Sequence, residues 1–173
     1  MTARVAVLMG SDSDLPTMVE CVRTLTEYGI ESDVRVLSAH RSPEETTAFA
    51  REAAGRGIRV IVAGAGGAAH LAGVLAAHST LPVIGVPISS SPLGGVDSLL
   101  STVQMPPGIP VATVGVGSMG AKNAGHLAAL ILALGDRDLE ARVSEQRRQM
   151  TADVLQKAAT LPDRVKELLQ KKG

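Results

Sequence analysis

A run of glycine, serine and aspartate, Gly10-Ser11-Asp12-Ser13-Asp14, stands directly ahead of a helical pattern with Pro16 in its first turn. Hydroxyls and backbone N–H groups at a helix N-terminus suit a phosphate, and a carboxylate suits sugar hydroxyls. The same residue types also serve plain turn and capping chemistry, with Asp14 as the helix cap. A second run, Ser38-Ala39-His40-Arg41-Ser42-Pro43, sets an imidazole beside a guanidinium. An imidazole titrates at an ordinary pKa of about 6.5, which suits His40 to proton transfer near neutrality. The planar donor fork of Arg41 suits phosphate. A loop histidine on its own is ordinarily a surface residue. What raises His40 above that is a strand end that places its loop beside the first one.

A third run, Gly64-Ala65-Gly66-Gly67-Ala68-Ala69-His70, fits the dinucleotide pattern G-x-G-x-x-A, and Gly115-Val116-Gly117-Ser118-Met119-Gly120 fits it again. Dinucleotide binding needs the first strand of the unit and an acid about twenty residues further on. The third run follows the third strand and has no such acid. The last run has Asp136 at that distance, but there the acid opens a helix. Both dinucleotide readings fail on context, and what remains is bare backbone that lets a planar ligand or a carboxylate come close. Pro87–Val96, with three serines and two glycines, and Gln104–Pro110 read either as rigid connectors or as the wall of a pocket.

Other chemistries find little support. His40, His70, His78 and His126 lack metal-ligand spacing, and Cys21 falls in a helical pattern, as a small buried apolar group would. There is no Walker pattern and no G-x-S-x-G. The expectation is a site without metal or cofactor that works by acid–base catalysis and positioning.

The elements that must position these loops alternate along the chain. Strand candidates are Arg4–Met9, Asp33–Leu37, Ile58–Ala63, Val83–Val86 and Val111–Val116. Between them lie helices with readable starts, such as Ser42-Pro43-Glu44-Glu45 with Ser42 as N-cap, and stops at Gly29 and Gly57. Such alternation predicts an α/β fold, a parallel sheet with helices on both faces and its ligand at the carboxyl ends of the strands. From Asp136 the pattern becomes one long polar helix with an apolar stripe at Leu139, Val143, Met150, Val154, Ala158 and Leu161, which Pro162 is expected to interrupt.

The 173 residues suit one core. Lys plus Arg and Asp plus Glu both number 17, a balance that argues against nucleic acid, which needs a surplus of cations. A single cysteine makes no internal disulfide, and residues 1–15 lack a secretory pattern, so the expected location is the cytoplasm. Charge is unevenly spread: residues 58–135 carry only Arg59, Asp97 and Lys122, against sixteen charged side chains in 136–173. So charge-poor a stretch must be wrapped by the chain or buried between subunits. A membrane span over Val60–Ala77 is the rival reading, and its four glycines and strand-like start argue against it.

Taken together, the three loops closely resemble those of the N5-carboxyaminoimidazole ribonucleotide mutase family, as do Val96–Pro106 and Lys122-Asn123-Ala124-Gly125, in order over roughly residues 4–150. The resemblance implies a three-layer flavodoxin-like sandwich, with residues 1–135 as catalytic domain and 136–173 as a helical extension packing on neighbours in a homo-octamer. It implies interconversion of N5-carboxyaminoimidazole ribonucleotide and 4-carboxy-5-aminoimidazole ribonucleotide in purine biosynthesis, with no cofactor. Carried over by motif, Ser11, Ser13 and Asp14 bind phosphate and ribose, and Ser38 and Arg41 complete the phosphate site. His40 is the acid–base residue. Gly64, Ala65, Gly66 and His70 line the carboxylate and imidazole pocket, with Ser101–Pro106 against it. Leu15, Ser42 and Ala72 stand where the family commonly has tryptophan, threonine and proline. Two alternatives are a carboxylase that takes free carbon dioxide and a nucleotide-binding module without catalysis.

Overall fold

The computed structural model describes residues 4–170, so residues 1–3 and 171–173 of the two expected domains lie outside the described residues. Five strands, β1 (Val5–Met9), β2 (Ser32–Val36), β3 (Val60–Gly66), β4 (Val83–Ile88) and β5 (Ala112–Thr113), form one parallel sheet in the order β2-β1-β3-β4-β5. Six helices accompany it: α1 (Leu15–Glu27), α2 (Pro43–Glu52), α3 (Leu71–His78), α4 (Val96–Val103), α5 (Gly117–Ala133) and α6 (Arg137–Gln170). A three-residue 3-10 turn, Asp12–Asp14, leads into α1.

The central strands are apolar at every position because both faces are covered. Side chains alternate across a strand. Val5, Val7 and Met9 of β1 pack with α1, α5 and the start of α6, while Ala6 and Leu8 pack with Phe49 and Ala50 of α2 and Leu71 and Leu75 of α3. This is the expected three-layer arrangement. β5 is shorter than the predicted Val111–Val116: only Ala112 and Thr113 pair with β4, at Ile84 and Gly85. It is an exposed edge, and after Val114 N–H bonds Gly85 O at 3.1 Å the chain turns into α5. The span Val60–Ala77 is divided between β3 and α3, and no helix of the described residues is long and apolar enough to cross a membrane.

Helix starts differ from the sequence expectation in two places. Asp14 makes no side-chain cap bond; its carboxyl is buried, and Ser11 caps the preceding turn instead. Ser42 does not cap α2 either, because its hydroxyl is bonded back to Ser38. Pro162 does not break α6, which runs unbroken through it to Gln170. Proline removes one bond from the ladder there, and the helix formers on either side keep theirs. The root of α6 is fastened firmly: Asp136 accepts a hydrogen bond from Leu139 N–H at 3.0 Å and an ion pair from Arg4 at 2.7 Å. Those two contacts, the Arg4 one first, hold the Asp136 carboxyl below its usual range.

Two close approaches explain glycines that the sequence left open. A Cβ on Gly120 would lie 1.6 Å from the Gly115 carbonyl oxygen, which gives the second G-x-G-x-x-G run a packing reason. Where α1 meets α5, a Cβ on Gly125 would lie 2.8 Å from Thr24 Cβ and 3.0 Å from the Cys21 carbonyl. Cys21 is fully buried there, and burial pushes its thiol up to about 12, so it packs as an apolar group. Gly125→Val is expected to force the two helices apart and cost roughly 1–3 kcal/mol, as overpacking of a tight contact does. Urea denaturation measures it, and an unchanged midpoint would refute the close approach.

Candidate active site

Because all strands are parallel, the loops after β1, β2, β3 and β4 emerge at one sheet edge. The chain reverses direction across the sheet between β1 and β3, the place where such sheets hold ligands. A cleft of about 320 Å³ opens there. Nine of the ten predicted site residues line it: Ser11, Ser13, Asp14, Ser38, His40, Arg41, Ala65, Gly66 and His70.

The first loop is organised by Ser11. Its Oγ accepts from Ser13 N–H at 3.4 Å and from the Ser13 hydroxyl at 3.0 Å. Asp14 is 7% exposed, and burial pushes its carboxyl above the usual range, opposed by the Ser11 backbone and the Arg41 charge. Among the lining residues Asp14 is the one carboxylate and Arg41 the one guanidinium.

The second loop is knotted at the Ser38 carbonyl, which accepts from Ser42 N–H at 3.0 Å, the Ser42 hydroxyl at 3.3 Å and the Thr46 hydroxyl at 3.3 Å. Ser42 Oγ also accepts from Ser38 N–H at 3.0 Å. The loop is therefore closed on itself, and the two residues at its tip, His40 and Arg41, are held outward. Arg41 Nη2 donates to the Gly10 carbonyl at 2.9 Å and so ties the second loop to the first. A neighbouring cleft, lined by Ser11, Asp12, Ser38, Arg41 and Ser42 among others, puts Arg41 between two openings.

The third loop brings His70 to His40. Their rings meet edge to face with centroids 4.8 Å apart, and His40 Nε2 lies 2.7 Å from His70 Nδ1, within hydrogen-bonding distance. Ala69 supports the turn with a left-handed φ of 46°, rare for a residue with a Cβ.

Two expectations change. Gly64 does not line the cleft: it is buried in β3, where a Cβ would stand 2.3 Å from Met18 Sδ. Ser101–Pro106 does not line it either. Ser101 bonds the Asp97 carbonyl at 2.8 Å, and Met105 Sδ packs on α3, 3.2 Å from where a Gly73 Cβ would be. Sequence reasoning left five lining residues out of its predicted site set: Gly10, Ala39, Ala69 and Leu71, which bear no polar side chain, and Ser90, which lies in the serine run after β4. Among the described residues no cluster of His, Cys, Asp or Glu is arranged to hold a metal ion.

The AIR carboxylase family model matches residues 4–153. An N5-carboxyaminoimidazole ribonucleotide mutase of Thermotoga maritima is 51% identical over 158 residues, covering 91% of each chain. One of Mycobacterium tuberculosis is 56% identical over 140 residues, covering 81% of this chain and 79% of that one. In three dimensions the crystal structure of Treponema denticola PurE superposes with a TM-score of 0.82 at 27% identity, covering 91% of this chain and 97% of that one. The chain belongs to the AIR carboxylase family.

Proposed function

We infer that this protein is an isomerase of purine biosynthesis, a mutase interconverting N5-carboxyaminoimidazole ribonucleotide and 4-carboxy-5-aminoimidazole ribonucleotide. The relatives at 51% and 56% identity carry the name of that mutase. The observation that carries the reading to this chain's own residues is the meeting of three loops on one cleft, with anion-binding groups at one end and paired imidazoles at the other.

The strand order lays the substrate out. Ser11, Ser13, Ser38 and Arg41, on the loops of β1 and β2, take the phosphate, and Asp14 takes the ribose hydroxyls. The base then lies toward the loops of β3, where Ala65 and Gly66 offer bare backbone, with Gly64 packing that strand from behind. The carbamate loses its carboxyl from the exocyclic nitrogen, which needs a proton. The carbon dioxide then bonds to carbon 4, whose proton must leave. His40 gives the first proton and takes the second, and His70, hydrogen-bonded to it, orients the ring. Binding in the cleft holds the carbon dioxide beside the ring.

We also propose that the protein works in the cytoplasm as a homo-octamer, with residues 1–135 as the catalytic unit and 136–173 packing on neighbouring copies. The lone buried thiol and the exposed apolar side chains of α6 support this. Light scattering on the full chain is expected to give a mass of about eight chains; a single-chain mass would overturn the assembly.

Supplied with carbamate-labelled substrate in unlabelled bicarbonate, the protein is expected to place the label on carbon 4. Mainly unlabelled product would make it a carboxylase instead. His40→Asn is expected to lower turnover by roughly 100-fold or more while binding stays within a few-fold, the pattern of lost acid–base catalysis. Near-normal turnover would remove the role.

Asp14 gives a pH-linked outcome. Its folded pKa is raised above an unfolded value of about 3.9, so the buried carboxylate costs stability at neutral pH, a cost relieved as pH falls through the raised value. Asp14→Asn is therefore expected to hold or raise the urea midpoint at neutral pH while weakening ribonucleotide binding by about tenfold or more. A lower midpoint with binding intact would contradict both the burial cost and the ribose contact.

A further inference from the structure

Ser89, Ser90 and Ser91 follow β4, and the fold uses them differently. Ser91 is committed to the loop itself: its Oγ accepts from Leu93 N–H at 3.1 Å, and its hydroxyl bonds Asp97, holding that carboxyl below the usual range. The strand end is closed by another serine, Ser98, whose hydroxyl serves the Ile88 carbonyl at 3.0 Å and the Gly95 carbonyl at 2.9 Å. Ser90 N–H bonds the Ile88 carbonyl at 3.1 Å, which fixes the backbone of the turn. Among the described residues nothing in the chain takes up the Ser90 hydroxyl, and it faces the cleft.

The hydroxyl has a place made for it. A Cβ on Gly66 would stand 1.8 Å from Ser90 Oγ and 2.8 Å from Ser90 Cβ. The missing side chain of Gly66 is thus the space that Ser90 occupies, so the glycine in the third loop admits a polar group from the next strand. The strand order also sets which part of the ligand it meets. β4 lies beyond β3, on the side away from the β1 and β2 loops that carry Ser11 and Arg41.

We propose that Ser90 is a substrate-contacting residue that donates a hydrogen bond to the carboxylate of the carboxylated base, and so separates carboxylated from uncarboxylated ribonucleotide. The assignment rests on the mutase reading above, because it places the phosphate at the β1 and β2 end. A hydrogen bond to a charged acceptor is worth about a tenfold change in affinity or more when it is lost. Both ligands carry the same phosphate and ribose, so a general disturbance of the cleft weakens both.

The test is the pair of dissociation constants of wild type and Ser90→Ala for 4-carboxy-5-aminoimidazole ribonucleotide and for aminoimidazole ribonucleotide. The variant is expected to bind the carboxylated ligand about tenfold more weakly and the uncarboxylated one within about twofold of wild type. Ser90→Thr, which keeps the hydroxyl, is expected to stay close to wild type for both. Equal weakening of both ligands, no weakening of either, or a threonine variant that behaves like the alanine one would overturn the assignment and leave the mutase reading standing. Wild-type protein that binds neither ribonucleotide would overturn the mutase reading, and the role of Ser90 with it.

Discussion

The site hangs on a few backbone hydrogen bonds at the carboxyl end of β1. The register pairs Met9 with Val36 on one side and with Gly64 on the other. The ladder then runs one step past the strand on each side: Leu37 N–H bonds the Met9 carbonyl at 2.9 Å, and Gly10 N–H bonds the Gly64 carbonyl at 3.2 Å. Three loops therefore leave the sheet at the same height. A slip of one residue would turn every side chain of β1 to the opposite layer, and both layers are packed. The register that the two cores enforce is thus what keeps His40, Arg41 and His70 facing one cleft.

Ahead of any ligand, the loops meet most of their own hydrogen-bonding needs. The Ser38 carbonyl has three donors, Ser11 anchors the first turn, and Arg41 bonds the Gly10 carbonyl. A loop ordered in advance leaves less entropy to be lost on binding, and it holds catalytic groups within the small tolerances that proton transfer demands. Asp14 runs the other way. Its buried carboxylate is a cost that the fold carries, with only partial relief from the Ser11 backbone and Arg41. Positions of that kind are where stability is traded for binding.

Much of this was legible in the residues. Alternating apolar runs and helix starts located all five strands, the three central ones most clearly because buried parallel strands must be apolar throughout, and nine of the ten proposed site residues line one cleft. What was not legible depended on long-range packing. Gly64 and Gly66 look alike in the sequence, yet one meets Met18 of α1 and the other Ser90 after β4, a difference set by which element packs over each. Ser42 fits an N-cap pattern, but its hydroxyl is closer to Ser38 across the loop. Ser90 could be found only as one of three serines, because nothing local tells which hydroxyl the loop itself consumes. Pro162 misled for the opposite reason, since a local rule about helix breakers gave way to the helix formers on either side.

The charge-poor stretch raises the question of what covers it. β3, β4 and α3 bury most of their apolar side chains, but α4 does not: Val96, Leu100 and Val103 at its outer face, with Leu93 in the loop just before it, are between 47% and 66% exposed. α6 poses the same question more strongly. By its helical rise it is about 50 Å long, only Leu139 and Val143 are buried, and every described residue from Arg147 onward is exposed. A helix with one apolar stripe draws its stability from whatever packs on that stripe, and among the described residues nothing does beyond the root, where Leu139 and Val143 are buried and Asp136 is held by Arg4. Other copies of the chain are the occupant that the proposed assembly offers, both for α6 and for the outer face of α4. The second contact matters for the chemistry. The segment that carries Ser90 runs directly into α4, so whatever packs on α4 also steadies the fourth wall of the cleft.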